Sequence, residues 1–343
     1  MGRKLFDYVI GNPPYQEDKQ DGNETYSPPV YDKFLEAAYS VSEKVEMVHP
    51  ARFLFRAGRT PKAWNEKMLS DAHFKVEYYE PDATKLFSTT DIKGGVVISY
   101  HDETRNFGAI GTFTQYECLN SIMRKIPHDN QSITEIIYIQ NRFDLPALYF
   151  DHPEYRSSIG SEGKDSRFEK NIFEKIPSFT KEKENDDDVL TTGIFNNKRI
   201  KRYIPRKYVD VTHKCLGRFK IIIPVANGNG EFGSVLGGIE ILGPEEAYTR
   251  SFIGIGAVET KYEVLAIHSY LKTKFLRTLL SVLKVTQMNN KDVWKYVPLQ
   301  DFTPSSDIDW SKSIHEIDLQ LYRKYGLSAE EIEFIETHVK EMA

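Results

Sequence analysis

The chain has 343 residues but only two cysteines, Cys118 and Cys215, which stand far apart. So few thiols exclude a disulfide framework, and a reducing cytoplasm is the expected setting. The nine histidines keep no ligand spacing with those cysteines, so no metal site is expected. No stretch approaches the ~18 consecutive apolar residues that a membrane-spanning helix needs. The first residues contain no apolar signal region, because Asp7 and Gly11 interrupt it. Excess positive charge is lacking too. The formal net charge of −5 excludes a chain coated in cations, but a local basic face could still meet nucleic acid. The length is enough for two domains with cores of their own.

The first third alternates strand and helix. The apolar run Phe6–Gly11 predicts a strand, and a polar loop follows from Gln16 to Pro29. Tyr31 to Ser40 predicts a helix with Phe34, Leu35 and Ala38 on one face. Short strands are expected at Val45–Val48 and Phe74–Tyr79, and a further pair at Leu86-Phe87 and Gly95–Tyr100. This alternation favours an α/β sheet. A connecting helix is expected at Tyr116–Ile126. Beyond it, the β-branched runs Ser132–Gln140, Lys220–Val225 and Ser234–Leu242 predict a mixed, β-rich region. At the end, Ser311 can cap a helix striped by Ile314, Ile317, Leu321 and Tyr325 and ended by Gly326. Ser328 and Glu331 have capping-box spacing for a second helix through Val339.

The most informative residues are Asn12-Pro13-Pro14-Tyr15, where the first strand stops. Such an end offers a side-chain amide, a carbonyl that no following N–H can mask, and an aromatic ring. That set can hold a planar base by its exocyclic amine. Asn-Pro is also a common turn starter, so a purely structural turn is the alternative.

Phe-Asp-Tyr-Val-Ile-Gly-Asn-Pro-Pro-Tyr resembles motif IV of the amino-directed, N6-adenine DNA methyltransferases at nearly every position. The resemblance implies that the Asn12 side-chain oxygen and the Pro13 carbonyl accept the two hydrogens of the adenine N6 amine. Pro14 belongs to the same catalytic tetrapeptide, and Tyr15 stacks on a base flipped out of the duplex. The amine's lone pair is delocalised into the ring. Two acceptors aimed at its hydrogens favour a more tetrahedral nitrogen, which can attack a methyl sulfonium in line. Leu86-Phe87-Ser88 and Asp91–Ile98 resemble motif VIII, which implies that Phe87 covers the other face of the base; otherwise Phe87 is a core residue. His49–Leu54, with Arg52, resembles motif V.

Val285–Trp294 and Val297–Phe302 resemble the C-terminal part of Eco57I-type or TaqI-like restriction–modification proteins, where target recognition follows catalysis. The expected fold class is therefore α/β. A partial Rossmann-like methyltransferase core would occupy 1–127, a mixed β-rich target-recognition domain 128–303, and a helical hairpin 304–343. The family's glycine-rich S-adenosylmethionine loop lies well upstream of motif IV, whereas eleven residues precede Asn12 here. The resemblance thus implies a fragment or subunit of a larger enzyme. Its partners are double-stranded DNA and a polypeptide carrying the missing motifs, its cofactor is S-adenosylmethionine, and no cofactor-binding residue is assigned.

Lys198, Arg199, Lys201, Arg202, Arg206 and Lys207 interleave with aromatics, which suits phosphate clamping; a solvated charged strand is the plain alternative. Gln287, Asn289 and Asn290 are candidate base readers. Gly228–Gly233 fits G-x-G-x-x-G, but strand-like sequence follows it, so a hairpin loop is expected. Pro81-Asp82 with Asp91-Ile92-Lys93 has the residue types of a metal-dependent nuclease. Site-specific adenine-N6 methylation is the leading expectation, with a non-catalytic DNA-recognition module and a nuclease as alternatives.

Overall fold

A computed structural model describes residues 4–16, 28–55, 59–87, 92, 94–126, 131–159, 164–227, 231–284 and 287–342. The chain divides into two compact units, Met1–Asn120 and Ser121–Ala343.

In the first unit β1 (Phe6–Gly11), α1 (Tyr31–Val41), β2 (Ser42–Pro50), α2 (Lys62–Ser70), β3 (Phe74–Glu80) and β4 (Val96–Asp102) follow in order. The strands form one sheet in the order β1-β2-β4-β3. β1 runs parallel to β2, while β4 runs antiparallel to both β2 and β3. Consequently β1, β2 and β3 all end at one edge, and β4 begins there.

Strand alternation assigns the two faces. Val45, Met47 and Val97 pack under Leu35 and Ala38 of α1 and Met68 and Leu69 of α2, making the core. Phe6, Tyr8 and Ile10 lie on the opposite face and stay exposed, 56%, 42% and 74% respectively, so no helix among the described residues covers them. Tyr8 stacks there on Tyr100 with ring centroids 6.1 Å apart. Among the described residues no strand pairs with the outer edge of β1.

Two expectations change. β2 is nine residues long, because pairing runs from Phe6–Ser42 on one side to Pro50–Val96 on the other. Leu86-Phe87 is not a strand. Asp82 caps a 3-10 turn at Ala83–Lys85, and the amides of Leu86 and Phe87 both donate to the Ala83 carbonyl, which curls the chain away from the sheet.

The helix α3 (Glu117–Lys125) leads into the second unit. There β5 (Ile137–Tyr138), α4 (Leu145–Asp151), α5 (Ile172–Lys175), β6 (Val189–Phe195), β7 (Lys198–Ile204), β8 (Phe219–Pro224), β9 (Glu240–Leu242), β10 (Glu246–Tyr248) and β11 (Phe252–Val258) build two sheets. Their orders are β10-β6-β7 and β5-β11-β8-β9. Phe143, Leu148, Phe168, Ile172, Val189 and Ile204 form one core there. Lys220–Val225 is met by β8 of equal length, but the runs Ser132–Gln140 and Ser234–Leu242 are shorter as strands than expected. Ser132 caps a 3-10 turn that leaves only two residues for β5, and Gly238, at φ +68°, holds turn conformation ahead of β9.

Four helices follow: α6 (Lys261–Lys272), α7 (Lys274–Ser281), α8 (Ile314–Lys324) and α9 (Ala329–His338). α6 and α7 lie outside the elements expected above, although Thr260 and Glu263 form a full capping box. Ser313, not Ser311, caps α8: its hydroxyl accepts from Glu316 N while the Glu316 carboxylate answers it. The Ser311 hydroxyl is spent on Asp309 at 2.6 Å. Ser328 and Glu331 form the expected box on α9, and Gly326 leaves α8 at φ +62°.

Candidate functional site

The edge where β1, β2 and β3 end collects the chemically informative segments of the first unit. In open α/β sheets ligands bind outside the carboxyl ends of strands. Gly11 is the last paired residue of β1, opposite Met47. Beyond it Asn12 and Pro14 are exposed, Pro13 is buried and Tyr15 is half-buried. Pro14 has no N–H, and among the described residues nothing donates to the Pro13 carbonyl. The Tyr15 carbonyl accepts from Val30 N at 3.2 Å, which ties the exit of the tetrapeptide to the start of α1. Burial pushes the Tyr15 phenol above its ordinary range, and the neighbouring Asn12 side chain partly offsets this. The phenolic oxygen is shielded from solvent and finds no hydrogen-bond partner among the described residues.

β2 ends beside it. His49 is fully buried, stacked on Tyr31 at 5.5 Å, with Nε2 2.7 Å from Ser99 Oγ and Nδ1 3.3 Å from the Pro50 carbonyl. Burial pushes its pKa down to about 4, against a smaller raising effect of the Pro50 carbonyl, so the ring is neutral at pH 7. Ala51 N then donates to the Gly95 carbonyl at 3.0 Å, joining the end of β2 to the entry of β4. Gly94 and Gly95 sit at φ +90° and +80°. A Cβ on Gly94 would lie 2.8 Å from Arg52 Cγ, and one on Gly95 would lie 2.4 Å from the Glu80 carbonyl. Only glycine lets these segments approach so closely.

At the end of β3 the Glu80 carboxylate accepts from Asp82 N at 3.0 Å, Lys85 Nζ at 3.2 Å and the Tyr78 hydroxyl at 3.1 Å. Phe87 emerges half-buried from the turn that follows. The segments resembling motifs IV, V and VIII therefore converge on one edge. The nuclease alternative has less behind it. Asp82 is spent on the Thr84 amide and hydroxyl, and Asp91 and Lys93 lie outside the described residues. Among the described residues no group of three or more His, Cys, Asp or Glu is arranged to hold a metal ion.

The basic candidates lie in the second unit, and most already have partners. Alternation along β7 puts Arg199 and Lys201 on one face, where Arg199 meets Glu240 at 2.7 Å and Lys201 meets Glu240 and Glu246 at 3.0 and 3.3 Å. Arg199 also lies over the Phe252 ring. Arg206 pairs with Glu245, and Lys207 with Asp151 at 2.5 Å. Lys198 and Arg202, on the other face, have no ion-pair partner among the described residues. Gln287 is exposed, and its carbonyl accepts from Asn227 N. Asn289, expected as a base reader, is instead fully buried, with its amide donating to the Pro224 carbonyl at 3.0 Å; it braces the end of β8. Asn290 precedes a 3-10 turn. Gly228–Gly230 lie outside the described residues. β8 and β9 on either side of them pair antiparallel, and no helix opens there.

Residues 1–87 match the family model of the Eco57I restriction-modification methylase. No curated protein matches the chain. Among solved structures it is similar to the type IIL restriction-modification enzyme MmeI in complex with DNA, at 8% identity and a TM-score of 0.38, over 97% of this chain and 56% of that one. It is also similar to the type IIG restriction endonuclease BpuSI, at 10% identity and a TM-score of 0.34, over 98% of this chain and 53% of that one. The chain thus spans about half the length of these structures.

Proposed function

We propose that the chain carries the base-holding part of a DNA adenine-N6 methyltransferase of a restriction–modification system. The observation that supports this most is the meeting of Asn12–Tyr15 and Ala51–Phe55, both within the 87 residues that match the methylase family, with the Gly94-Gly95 turn just beyond them at one sheet edge. The order β1-β2-β4-β3, with β4 antiparallel to its neighbours, supports reading the first unit as the expected partial Rossmann-like core. Asn12 Oδ1 and the Pro13 carbonyl take the two amine hydrogens, Pro14 keeps the turn rigid, and Tyr15 and Phe87 hold the ring from its two faces. No strong base is required, which fits the neutral, buried His49 at the end of β2. S-adenosylmethionine, which methylases use generally, supplies the methyl group; no described residue is assigned to it. The open outer edge of β1, with the bare Phe6, Tyr8 and Ile10 beside it, suits a polypeptide bearing the upstream motifs.

The test is methyl transfer from labelled S-adenosylmethionine to duplex DNA, with an upstream glycine-rich segment supplied in trans. Loss of one preorganised acceptor in Asn12→Ala should lower the rate by about 10²–10³-fold. Undiminished transfer by that variant would sink the assignment. A wild type that transfers nothing, binds no S-adenosylmethionine by calorimetry and still binds duplex in a salt-dependent way supports the recognition-module reading.

A further inference from the structure

The second unit contains a pocket of about 220 Å³ lined by Ile159, Lys164, Glu169, Asn171, Ile172, Lys175 and Arg250. It joins three cations to one carboxylate, a local balance of +2 in a chain whose net charge is −5. At ~30 Å³ per water this is room for about seven waters, ample for a tetrahedral oxyanion and part of a sugar. Its floor is apolar and fixed, with Ile172 1% and Ile159 7% exposed.

The cations are held where an anion could meet them. Arg250 is fixed twice: its amide donates to the Phe168 carbonyl at 2.8 Å, and Nη1 meets Glu169 Oε1 and Oε2 at 3.1 and 3.3 Å. A guanidinium gripped on one side by a carboxylate keeps its other donors aimed outward, which suits bidentate contact with phosphate. Lys175 is exposed and has no ion-pair partner among the described residues. Lys175 differs in this from Arg199 and Lys201 of β7 and from Arg206 and Lys207 just beyond it, which, like Arg250, are each matched by a carboxylate.

We propose that this pocket, with Arg250 and Lys175 as its principal donors and Lys164 at its rim, grips a phosphodiester of the bound DNA backbone. It rests on the DNA reading above and adds the place of contact. Such a contact positions the protein without reading sequence.

The experiment measures duplex affinity of the full chain by fluorescence anisotropy between about 50 and 200 mM salt, where each phosphate contact adds ~0.9 to the slope of log K against log salt. Lys175→Gln and Arg250→Gln should each reduce that slope by about 1 and weaken all duplex sequences alike, whereas Arg250→Lys should keep it. An unchanged thermal transition shows that each variant is folded. A wild type that binds duplex with the same slope as both Gln variants overturns the pocket alone. Loss of slope only in Lys198→Gln/Arg202→Gln moves the contact to β7 and also overturns it. A wild type that binds inorganic phosphate at the pocket by calorimetry, with variant slopes unchanged, makes the ligand free phosphate and refutes the DNA contact. A wild type that binds no duplex at all overturns the DNA reading and this proposal with it.

Discussion

Acid should unfold the first unit through His49. The ring is enclosed by Tyr31, Phe53 and Ser99, and its pKa of about 4 compares with 6.5 for a free imidazole. A depressed folded-state value means that the unfolded chain binds the proton first. The stability contribution is therefore intact above pH ~6.5 and is lost as pH falls toward ~4. Taking 1.36 kcal/mol per pKa unit, the loss between pH 7.5 and pH 5 is about 2 kcal/mol. The clean comparison is with His49→Gln, which is less stable at neutral pH because it gives up the stacking. Its deficit relative to wild type should shrink by about 2 kcal/mol on going from pH 7.5 to pH 5, in urea unfolding at the two pH values. His101, whose pKa is also lowered by burial, is present in both proteins and cancels in the difference. A deficit that stays constant within about 0.5 kcal/mol, or a His49 resonance titrating near 6.5 by NMR, refutes the reasoning.

Other substitutions probe the remaining architecture. Gly95→Ala forces an alanine into φ +80° and sets its Cβ 2.4 Å from the Glu80 carbonyl, so unfolding midpoints should report a loss of about 2 kcal/mol or more. In the second unit burial pushes Asp318 up to about 6, with the amides of Phe275 and Lys274 partly offsetting it. That sign is the reverse of His49's: the contribution is full below pH ~3.8 and lost as pH rises through ~6. Wild type should thus gain about 1 kcal/mol from pH 7 to pH 5 that Asp318→Asn does not, measured in parallel denaturation curves. Ser313→Ala and Ser328→Ala each remove one half of a capping box and should cost about 1 kcal/mol, seen as lowered thermal midpoints.

What the sequence disclosed and what it withheld divide along contact range. Asn12–Tyr15 could be singled out from the sequence because its groups are contiguous: an amide, an unmaskable carbonyl and a ring follow a strand within four residues. Gly94-Gly95 was readable as part of a motif, but the reason for two glycines, the Glu80 carbonyl and Arg52 packed against them, required the fold. The charged run from Lys198 to Lys207 looked like a free basic face because Asp151, Glu240, Glu245 and Glu246, which hold four of its cations, lie some forty to fifty-five positions away. Asn289 is polar in the sequence yet buried in the fold, since its partner is the backbone of β8. The pocket at Arg250 was not legible at all. Its residues come from three stretches with no shared motif, and only the fold brings them together.

The outer edge of β1 has a practical consequence for handling the chain. Among the described residues no strand pairs with that edge, and a row of unpaired amides and carbonyls is a template for another strand. Natural edges are usually guarded by proline, a bulge or an outward charge, and β1 has neither proline nor bulge in its ladder. Lys4, next to it, has turned its ammonium inward to Glu103 and the Tyr39 carbonyl. With Leu5 and Ile10 both about three-quarters exposed beside that margin, a concentrated solution should self-associate strand to strand. Asp7 is the one exposed charge within the strand, and a lysine in place of Ile10 would add a second.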